Sequence, residues 1–416
     1  MPRLSIPLLF GTGMSDTTER INIERLRRER ADRLRNIMKE YGIPAFLLTR
    51  ADNIRYATGT PGVAYMPMMS YCLFFAEDDP IMWEHPPCYQ QEQDQIPWIK
   101  PENWRPARSP RRNSPLEAQK EESKLLATEI KQELQERGLM GEKLAQTAGW
   151  DRIVLGTLRE LGIEVVDGWP MMMNVRSVKT KDEINCWKMA NAIVDKAFYA
   201  MYEALKPGTR DVDIKGAILK SLWESGVEDT PRIGVWSGPY TWPRGVSNTD
   251  RFIEVGDIVY ADIYYVSWMG YKTCVYRTFI VGRKPNQREQ DWHKRLLEQQ
   301  NGAIDEIKPG ATTADVVKHF PTAREMGFPD EAYASMVMGG HGIGLHQYEY
   351  PSLSRYTSLR YPQVFEAGNT LAVETSYGEM RVGGSRMEDM VLVTEEGAEI
   401  VNHWPREEII ASHVVI

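Results

Sequence analysis

The sequence predicts an α+β protein in which a small α/β unit precedes a duplicated α+β domain. Helical and strand-like segments alternate through the first half, as far as about residue 170. Beyond that point, LKPGTRDVDIKGAI at 205–218 resembles IKPGATTADVVKHF at 307–320. Each copy contains the end of a helix, a Pro-Gly turn and the start of a second helix, and strand-like text follows it. Two such copies favour a duplicated domain whose two sheets share one site.

The N-terminal α/β unit is expected to span 20–175, after a flexible tail over 1–19. An amphipathic pattern at 20–42 predicts a helix, and a charged helical segment follows at 115–138. Strands are predicted at AFLLT, YCLFFAE and IMWE. The Pro-, Gln- and Trp-rich stretch 85–114 is expected to form a long surface excursion.

The second domain is expected to span 176–416 and to open with a long helix. Thr180 is placed as its N-cap, and Glu183 follows three positions later as in a capping box. The helix is predicted to run to about Leu205. Its apolar stripe predicts packing against a core, and it consists of Ile184, Trp187, Ile193, Val194, Ala197, Phe198 and Met201.

Composition excludes several classes of partner. The chain has 416 residues, 42% of them hydrophobic and 26% charged, and a net charge of −8 with both signs interspersed. Such a balance argues against nucleic acid or an anionic membrane as the main partner. The locally basic text RPARSPRR at 105–112 lacks interleaved aromatic residues, which favours a solvated loop over a binding patch.

Cysteine usage and hydropathy indicate the compartment. The four cysteines (Cys72, Cys88, Cys186 and Cys274) show no CxxC spacing, which favours reduced thiols in the cytoplasm. No run of about eighteen apolar residues is present, so no membrane span is predicted. The apolar text near the N-terminus lacks the pattern of a signal peptide.

Four polar residues stand in otherwise apolar or glycine-rich text. Asp262 lies in IVYADIYYV, His341 in GGHGIG, Glu374 in TLAVET, and Glu388 directly before an apolar run. Buried carboxylates must be paired or bound to a cation. Three carboxylates and an imidazole suit a divalent ion such as Mn, Fe, Co or Zn, whereas the alternative is a hydrogen-bonded cluster without metal.

The order of these motifs resembles that of the pita-bread family, which includes methionine aminopeptidase, aminopeptidase P, prolidase, creatinase, ectoine hydrolase and a dimethylsulfoniopropionate lyase. The resemblance rests on GDIVYAD, GYKTCVYRTF, GGHGIGL, VET and RMEDMVLVTEEG, and covers 176–403. It extends more weakly to the N-terminal unit through NIRYATG. The resemblance implies a creatinase-like N-terminal domain, a duplicated pita-bread C-terminal domain, and a homodimer in which residues near Tyr65 reach the neighbouring pocket.

The resemblance also implies a set of metal ligands. Asp262, His341, Glu374 and Glu388 match four of the five, whereas Cys274 replaces the Asp that bridges two ions in the family. Cys274 is the fifth candidate ligand, since a thiolate can bind Zn or Fe tightly, but one sulfur then replaces a carboxylate whose two oxygens span two metals. A site with one divalent ion (Mn, Fe, Co or Zn) is therefore expected, a metal-free site stays open, and an intact two-metal site is the least favoured alternative.

Proton-transfer residues depart from the family as well. Arg244 and Gly245 stand where the peptidases have a His, and Tyr348 replaces a second His seven residues after His341. Tyr264 replaces an additional Asp of the lyase. The substitutes available for proton transfer are Tyr348, Glu349, His346 and Tyr276.

Aromatic residues crowd the segments expected to line the pocket: Trp236, Tyr240, Trp242, Tyr264, Trp268 and Tyr276. Their faces would attract methylated ammonium, guanidinium or sulfonium groups, although ordinary core packing is the alternative. Arg277 and Arg386 could bind a substrate carboxylate, or could be structural partners of Glu374 or Glu388.

These departures favour a non-peptidase enzyme that hydrolyses a C–N bond in a small, polar, compatible-solute-like molecule, methylated or not. Glu374, Glu388 and His341, with any bound ion, would orient water and stabilise an oxyanion. The alternatives are a C–S lyase of the dimethylsulfoniopropionate type, an Xaa-Pro dipeptidase or aminopeptidase, and a catalytically inactive binding protein.

Overall fold

The computed structural model describes residues 21–61, 69–111, 113–147, 152–229, 231–242, 249–334 and 339–414. The predicted tail at 1–19, Tyr65, Arg244 and Gly245 lie outside the described residues.

The N-terminal domain is built on a six-stranded mixed sheet with the order β4-β3-β2-β1-β5-β6. The central strand β1 pairs antiparallel with β2 and parallel with β5. The strands are β1 (Ala45–Leu48), β2 (Tyr71–Phe75), β3 (Ile81–Glu84), β4 (Trp104–Pro106), β5 (Lys143–Gln146) and β6 (Glu164–Asp167). The helices are α1 (Ile23–Glu40), α2 (Ala51–Thr58), α3 (Tyr89–Gln95), α4 (Leu116–Glu136), α5 (Arg152–Glu160) and α6 (Trp169–Ser177).

The prediction of a long surface excursion over 85–114 is wrong. This stretch contains α3 and the edge strand β4, which pairs parallel with β3. Ile96, Ile99 and Trp104 are buried, and the Trp104 indole donates a hydrogen bond to the Ile99 carbonyl at 3.3 Å. A few apolar residues therefore anchor an otherwise polar segment in the core. The average composition of the segment does not predict this packing.

The long helix that opens the second domain is confirmed as α7 (Lys181–Ala204). The Thr180 hydroxyl accepts from the Glu183 amide at 3.4 Å, and the Glu183 carboxylate accepts from the Thr180 amide at 2.8 Å. This reciprocal capping satisfies two backbone donors that the first turn leaves without partners. The predicted stripe packs inward, with Ile184 only partly buried.

The C-terminal domain holds two sheets, with the orders β15-β9-β8-β7 and β11-β10-β12-β13-β14. The first half comprises α8 (Asp211–Glu224), β7 (Arg232–Ser237), β8 (Ile258–Trp268) and β9 (Tyr271–Val281). The second half comprises α9 (Gln287–Asp305), α10 (Thr313–Val317), α11 (Glu331–Ala334), β10 (Gly339–Gly342), β11 (Glu349–Leu353), α12 (Arg355–Ser358), β12 (Thr370–Glu379), β13 (Gly383–Val393), β14 (Ala398–Ile400) and β15 (Ile410–Ser412). The paired helices α7–α8 and α9–α10, each followed by strands, correspond to the two copies of the repeat.

The two sheets are joined where β9 crosses β13. The Thr278 hydroxyl donates to the Arg386 carbonyl and accepts from the Arg386 amide, both at 2.9 Å. The Arg277 guanidinium donates to the Glu388 carbonyl at 2.5 Å. These bonds fix the chain around Cys274 against the chain around Glu388.

Ion pairs link the N-terminal domain to the C-terminal one. Asp182 in α7 pairs with Arg25 of α1 at 2.7 Å and accepts from the Asn22 amide at 2.9 Å. Arg55 of α2 pairs with Glu228 at 2.8 Å. Among the helices that the structure describes, none is both long and apolar enough to cross a membrane.

Candidate active site

Two glycines let three strands approach one another around His341. Gly339 and Gly340 have φ values of 138° and 154°. A Cβ atom would lie 2.0 Å from the Leu353 oxygen at the first position and 2.1 Å from the Ala372 oxygen at the second. Only glycine fits such contacts. The sequence GGHG therefore serves to insert His341 between β11 and β12.

Strand register places the two site glutamates side by side. Glu374 of β12 lies opposite Glu388 of β13, and on its other side opposite Gly339 of β10. Residues directly opposite each other in an antiparallel pair share a face of the sheet. His341, opposite Ala372, lies on the same face because Ala372 and Glu374 are two residues apart.

The first sheet contributes Asp262 and Cys274 by the same geometry. Asp262 lies opposite Tyr276, and Cys274 opposite Tyr264, in the β8–β9 pair. Both residues are buried, at 1% and 7% exposure. The two-residue spacings place Asp262, Tyr264, Cys274 and Tyr276 on one face.

Cys274, His341 and Glu388 converge. One ligand atom from each lies within 4.8 Å of the other two. Asp262 and Glu374 lie outside this triad, yet their charges raise the pKa values of both Glu388 and Cys274. Of the five predicted metal ligands, three therefore form a compact group and two border it.

Electrostatics at this centre are unfavourable for a carboxylate. Burial first, then repulsion from Glu374 and Asp262, raises the pKa of Glu388 well above its usual value. The Cys274 thiol faces Glu388, but neither carboxylate oxygen has a hydrogen-bond partner of ordinary distance and angle among the described residues. Burial among carboxylates likewise raises the pKa of the Cys274 thiol. A bound cation would relieve both.

The donor set fits a divalent metal. The His341 Nδ1 lies 2.9 Å from the Gly342 carbonyl, so that Nδ1 is the donor and Nε2 retains its lone pair. Burial lowers the pKa of His341 to about 4, which keeps the ring neutral at pH 7. A sulfur, an imidazole nitrogen and a carboxylate oxygen are the ligands that zinc and similar ions take in proteins.

Arg386 and Tyr276 border the triad. Arg386 pairs with Glu374 at 3.3 Å, and its guanidinium lies 4.4 Å from the centre of the Tyr276 ring and 5.7 Å from that of Tyr260. Arg386 is therefore a partner of Glu374, one of the two roles expected for it. The substrate-binding role of Arg386 stays a prediction.

The other predicted aromatic residues lie in different surroundings. Trp236 is buried in a cluster with Tyr260 and Tyr276, and Trp268 is buried in the main core. Tyr264 contacts the neighbouring Tyr265 ring, with centroids 5.6 Å apart. Tyr240 is half exposed, and Trp242 packs on the Gly378 and Gly384 positions of the β12–β13 hairpin. Packing thus accounts for Trp236 and Trp268.

Arg277 does not face the triad. It alternates with Tyr276 along β9 and pairs with Asp389 at 2.8 Å, on the opposite face from Cys274. Asp389 also pairs with Arg406 at 2.8 Å. The expectation that Arg277 binds substrate is corrected: its guanidinium is taken up by Asp389 and by main-chain carbonyls.

Glu349 is engaged elsewhere as well. Its carboxylate pairs with Lys179 at 2.8 Å and Arg176 at 3.2 Å, and it accepts from the His346 amide at 3.0 Å. All three charged side chains are buried. The expectation that Glu349 is catalytic is corrected, because a carboxylate held by two cations is a structural group rather than a free base.

Tyr348 and His346 connect these two regions. The Tyr348 ring lies 4.6 Å from the His341 ring, centroid to centroid, and Tyr348 is half exposed. The His346 Nδ1 lies 2.6 Å from the Tyr348 carbonyl, and its Nε2 is 4.0 Å from Asp52 of the N-terminal domain. His346 is thus turned toward the domain interface and Tyr348 toward the triad.

Sequence reasoning missed Arg176 and Lys179, which lie in RSVK directly before α7. Both side chains are almost completely buried. The apolar run MMMNV directly before Arg176 is a signal that these cations are buried and need a carboxylate partner.

Comparison with known proteins identifies the architecture. Residues 185–395 match the metallopeptidase family M24, and residues 30–177 match the creatinase/prolidase N-terminal domain. The chain belongs to metallopeptidase family M24. The predicted pita-bread fold with a creatinase-type N-terminal domain is confirmed.

Several relatives matched in sequence carry the names of dipeptidases. The Xaa-Pro dipeptidase of Pyrococcus furiosus is 30% identical over 240 residues, which are 57% of this chain and 66% of the relative. The probable dipeptidase PepE of Mycobacterium tuberculosis is 29% identical over 252 residues, 60% of this chain and 65% of the relative. The matched stretch thus spans just under two thirds of each relative.

Solved structures agree in fold. The dipeptidase PepE of Mycobacterium ulcerans superposes with a TM-score of 0.73 at 21% identity, covering 94% of this chain and 99% of that one. The prolidase of Pyrococcus furiosus gives 0.69 at 22% identity, covering 89% and 100%.

The prediction of a non-peptidase C–N hydrolase acting on a compatible-solute-like molecule is wrong. Two of the relatives matched in sequence are named Xaa-Pro dipeptidases and a third a probable dipeptidase, which corresponds to the Xaa-Pro dipeptidase alternative. The substitutions at Cys274 and Tyr348 therefore do not by themselves indicate a non-peptidase reaction.

Proposed function

We propose that the protein is a metal-dependent dipeptidase that hydrolyses the bond before proline in small Xaa-Pro substrates. The observation behind this proposal is the convergence of Cys274, His341 and Glu388 within 4.8 Å in a chain of family M24. The names of the relatives supply the substrate class.

Cys274, His341 and Glu388 would hold a divalent ion, with Asp262 and Glu374 beside it. When bound, such an ion supplies Lewis acidity toward a carbonyl oxygen and a water molecule. The identity of the ion is among Mn, Fe, Co and Zn, and the sulfur donor favours the softer members of this set.

Glu374 is the residue best placed to move a proton. It is the more exposed of the two paired glutamates, with 18% of its side chain accessible, and Arg386 fixes the orientation of its carboxylate at 3.3 Å. It can accept a proton from an attacking water and deliver it to the leaving nitrogen of proline. His341 is oriented by its bond to the Gly342 carbonyl, and the Tyr348 ring closes one side of it.

Assays of the purified, metal-loaded chain with proline dipeptides test this function. Hydrolysis of Xaa-Pro is expected to exceed that of the matching Xaa-Ala dipeptide. Glu374→Gln should reduce kcat about 100-fold or more, as expected for removal of a general base. Glu84→Gln, a buried glutamate of the N-terminal domain, is the matched control and should leave kcat unchanged. The proposal fails if the metal-loaded protein hydrolyses no dipeptide, or if Glu374→Gln matches wild type.

The domain division at about residue 176, a homodimer and a cytoplasmic location are also proposed. The division is supported by the end of α6 at Ser177 and the capped start of α7 at Lys181. The four cysteines all carry free thiols, which suits a reducing compartment. Light scattering coupled to size-exclusion chromatography tests the proposed homodimer, and a measured mass equal to that of one chain would contradict it.

A further inference from the structure

The candidate centre contains an unusual donor. Cys274 contributes one sulfur, and the thiol is 7% exposed, at the meeting point of the two sheets. The other three cysteines do not belong to the triad: Cys72 lies in β2, Cys88 precedes α3 and Cys186 lies in α7. Any thiolate signal from a bound metal would therefore originate at Cys274.

The geometry points to a centre that holds one divalent ion, ligated by the Cys274 thiolate, His341 and Glu388, and selective for zinc or cobalt over manganese or magnesium. This inference rests on the proposed metal-dependent function, but metal binding alone tests it.

The donor set argues for selectivity. Thiolate and imidazole prefer zinc and cobalt, whereas manganese and magnesium prefer sites made of oxygen. When the ion binds, the S–H bond of Cys274 breaks, the sulfur keeps the electron pair for the new bond to the metal, and the proton leaves to solvent. No oxidant or further reactant is needed.

The surroundings argue for a single ion. The three ligand atoms lie within 4.8 Å of one another, and Asp262 and Glu374 are not part of that group. The Glu374 carboxylate already pairs with the buried Arg386 guanidinium at 3.3 Å. A second dication between Asp262 and Glu374 would approach this guanidinium, which carries the same sign of charge. The thiolate, with one donor atom, offers no second oxygen to hold it.

Metal stoichiometry provides the first test. The full chain is stripped with a chelator, dialysed against zinc and analysed for metal per chain. Wild type is expected to bind one zinc, and manganese at equal concentration should not displace it. Cys274→Asp restores a carboxylate with two oxygens and is expected to bind more zinc per chain than wild type, up to two ions, although Arg386 still opposes the second. Two ions per wild-type chain, or displacement by manganese, would overturn the inference.

Cobalt(II) provides a spectroscopic test that needs no catalytic activity. Wild type loaded with cobalt is expected to show a sulfur-to-cobalt charge-transfer band in the near ultraviolet. Cys88→Ser, the matched control, should retain the band, and Cys274→Ser should lose it and bind zinc at least about 100-fold more weakly. Absence of the band in wild type contradicts thiolate ligation whether or not the variants fold. A protein with the band but without dipeptidase activity would instead refute the proposed function.

Discussion

Two buried glutamates of the C-terminal domain contrast in their surroundings. Glu349 and Glu388 are 2% and 0% exposed. Glu349 lies between Lys179 and Arg176, whereas Glu388 faces a thiol, an imidazole and two further carboxylates. The same residue type at the same depth is thus neutralised by the protein in one place and not in the other. Burial alone therefore does not identify a functional carboxylate. The charges of the neighbouring side chains distinguish a structural carboxylate from a candidate metal ligand.

The largest expected effect comes from removing the compensated glutamate. Glu349→Ala leaves Lys179 as a buried cation without its partner, while Arg176 retains Asp52 at 3.5 Å. The free energy of unfolding should fall by about 3 kcal/mol. Urea unfolding measures it. Glu399→Ala, which breaks an exposed pair with Lys188, is the control and should cost less than about 1 kcal/mol. If the two variants lose similar amounts, the pairing of Glu349 is not structural.

A third buried glutamate, Glu84, tests whether a carboxyl without a cation must belong to a metal site. It accepts hydrogen bonds from the Ser70 hydroxyl at 2.7 Å and the His85 amide at 2.8 Å, and burial raises its pKa to about 7 from 4.5. Between these two pH values the native state holds a proton that the unfolded state has released. Stability from this group is therefore complete below about pH 4.5 and is lost as the pH rises to about 7.

The corresponding change in the free energy of unfolding is about 3 kcal/mol, and Glu84→Gln should remove it. Urea unfolding of wild type and variant at pH 5 and pH 7.5 measures the difference. The free energy of unfolding of the variant, relative to that of wild type, should increase at the higher pH, with or without zinc. If the difference in free energy of unfolding depended on zinc, Glu84 would belong to a metal site, as proposed for Glu388.

Glu388→Gln should act opposite to the Glu349 substitution. Burial, Glu374 and Asp262 raise the pKa of Glu388, so in metal-free protein at neutral pH its carboxyl must either hold a disfavoured charge or take up a proton on folding, and the amide needs neither. Stability should rise by about 1 kcal/mol. With zinc added, wild type should instead become the more stable, because only the carboxylate is a good ligand. Thermal unfolding with chelator and with zinc checks both signs, and a variant that is less stable without metal would contradict this account.

Sequence patterns predict those features that depend on residues close together in the chain. The α7 capping box was correct because Thr180 and Glu183 lie three residues apart and need no distant partner. The prediction of a catalytic role for Glu349 needed correction because its partners, Arg176 and Lys179, precede it by about 170 residues. Only the folded chain brings them together. The grouping of ligands came from a resemblance rather than from periodicity. Which three would converge depended on how β9 crosses β13, and no single strand encodes that crossing.

The smallest expected effect concerns Tyr348, which lies in the chain beside Glu349 and in space beside His341. Its ring contacts the His341 ring at 4.6 Å, while its backbone carbonyl is 2.6 Å from the His346 ring nitrogen. Tyr348→Ala should weaken zinc binding about fivefold, since an aromatic contact of this kind is worth about 1 kcal/mol. Tyr348→Phe retains the ring and should bind zinc as wild type does. Competition against a chromogenic chelator measures both. If Tyr348→Phe binds zinc as weakly as Tyr348→Ala does, the hydroxyl rather than the ring supports His341. Tyr348 would then act through its hydroxyl at the metal site, and would not merely lie between Glu349 and His341.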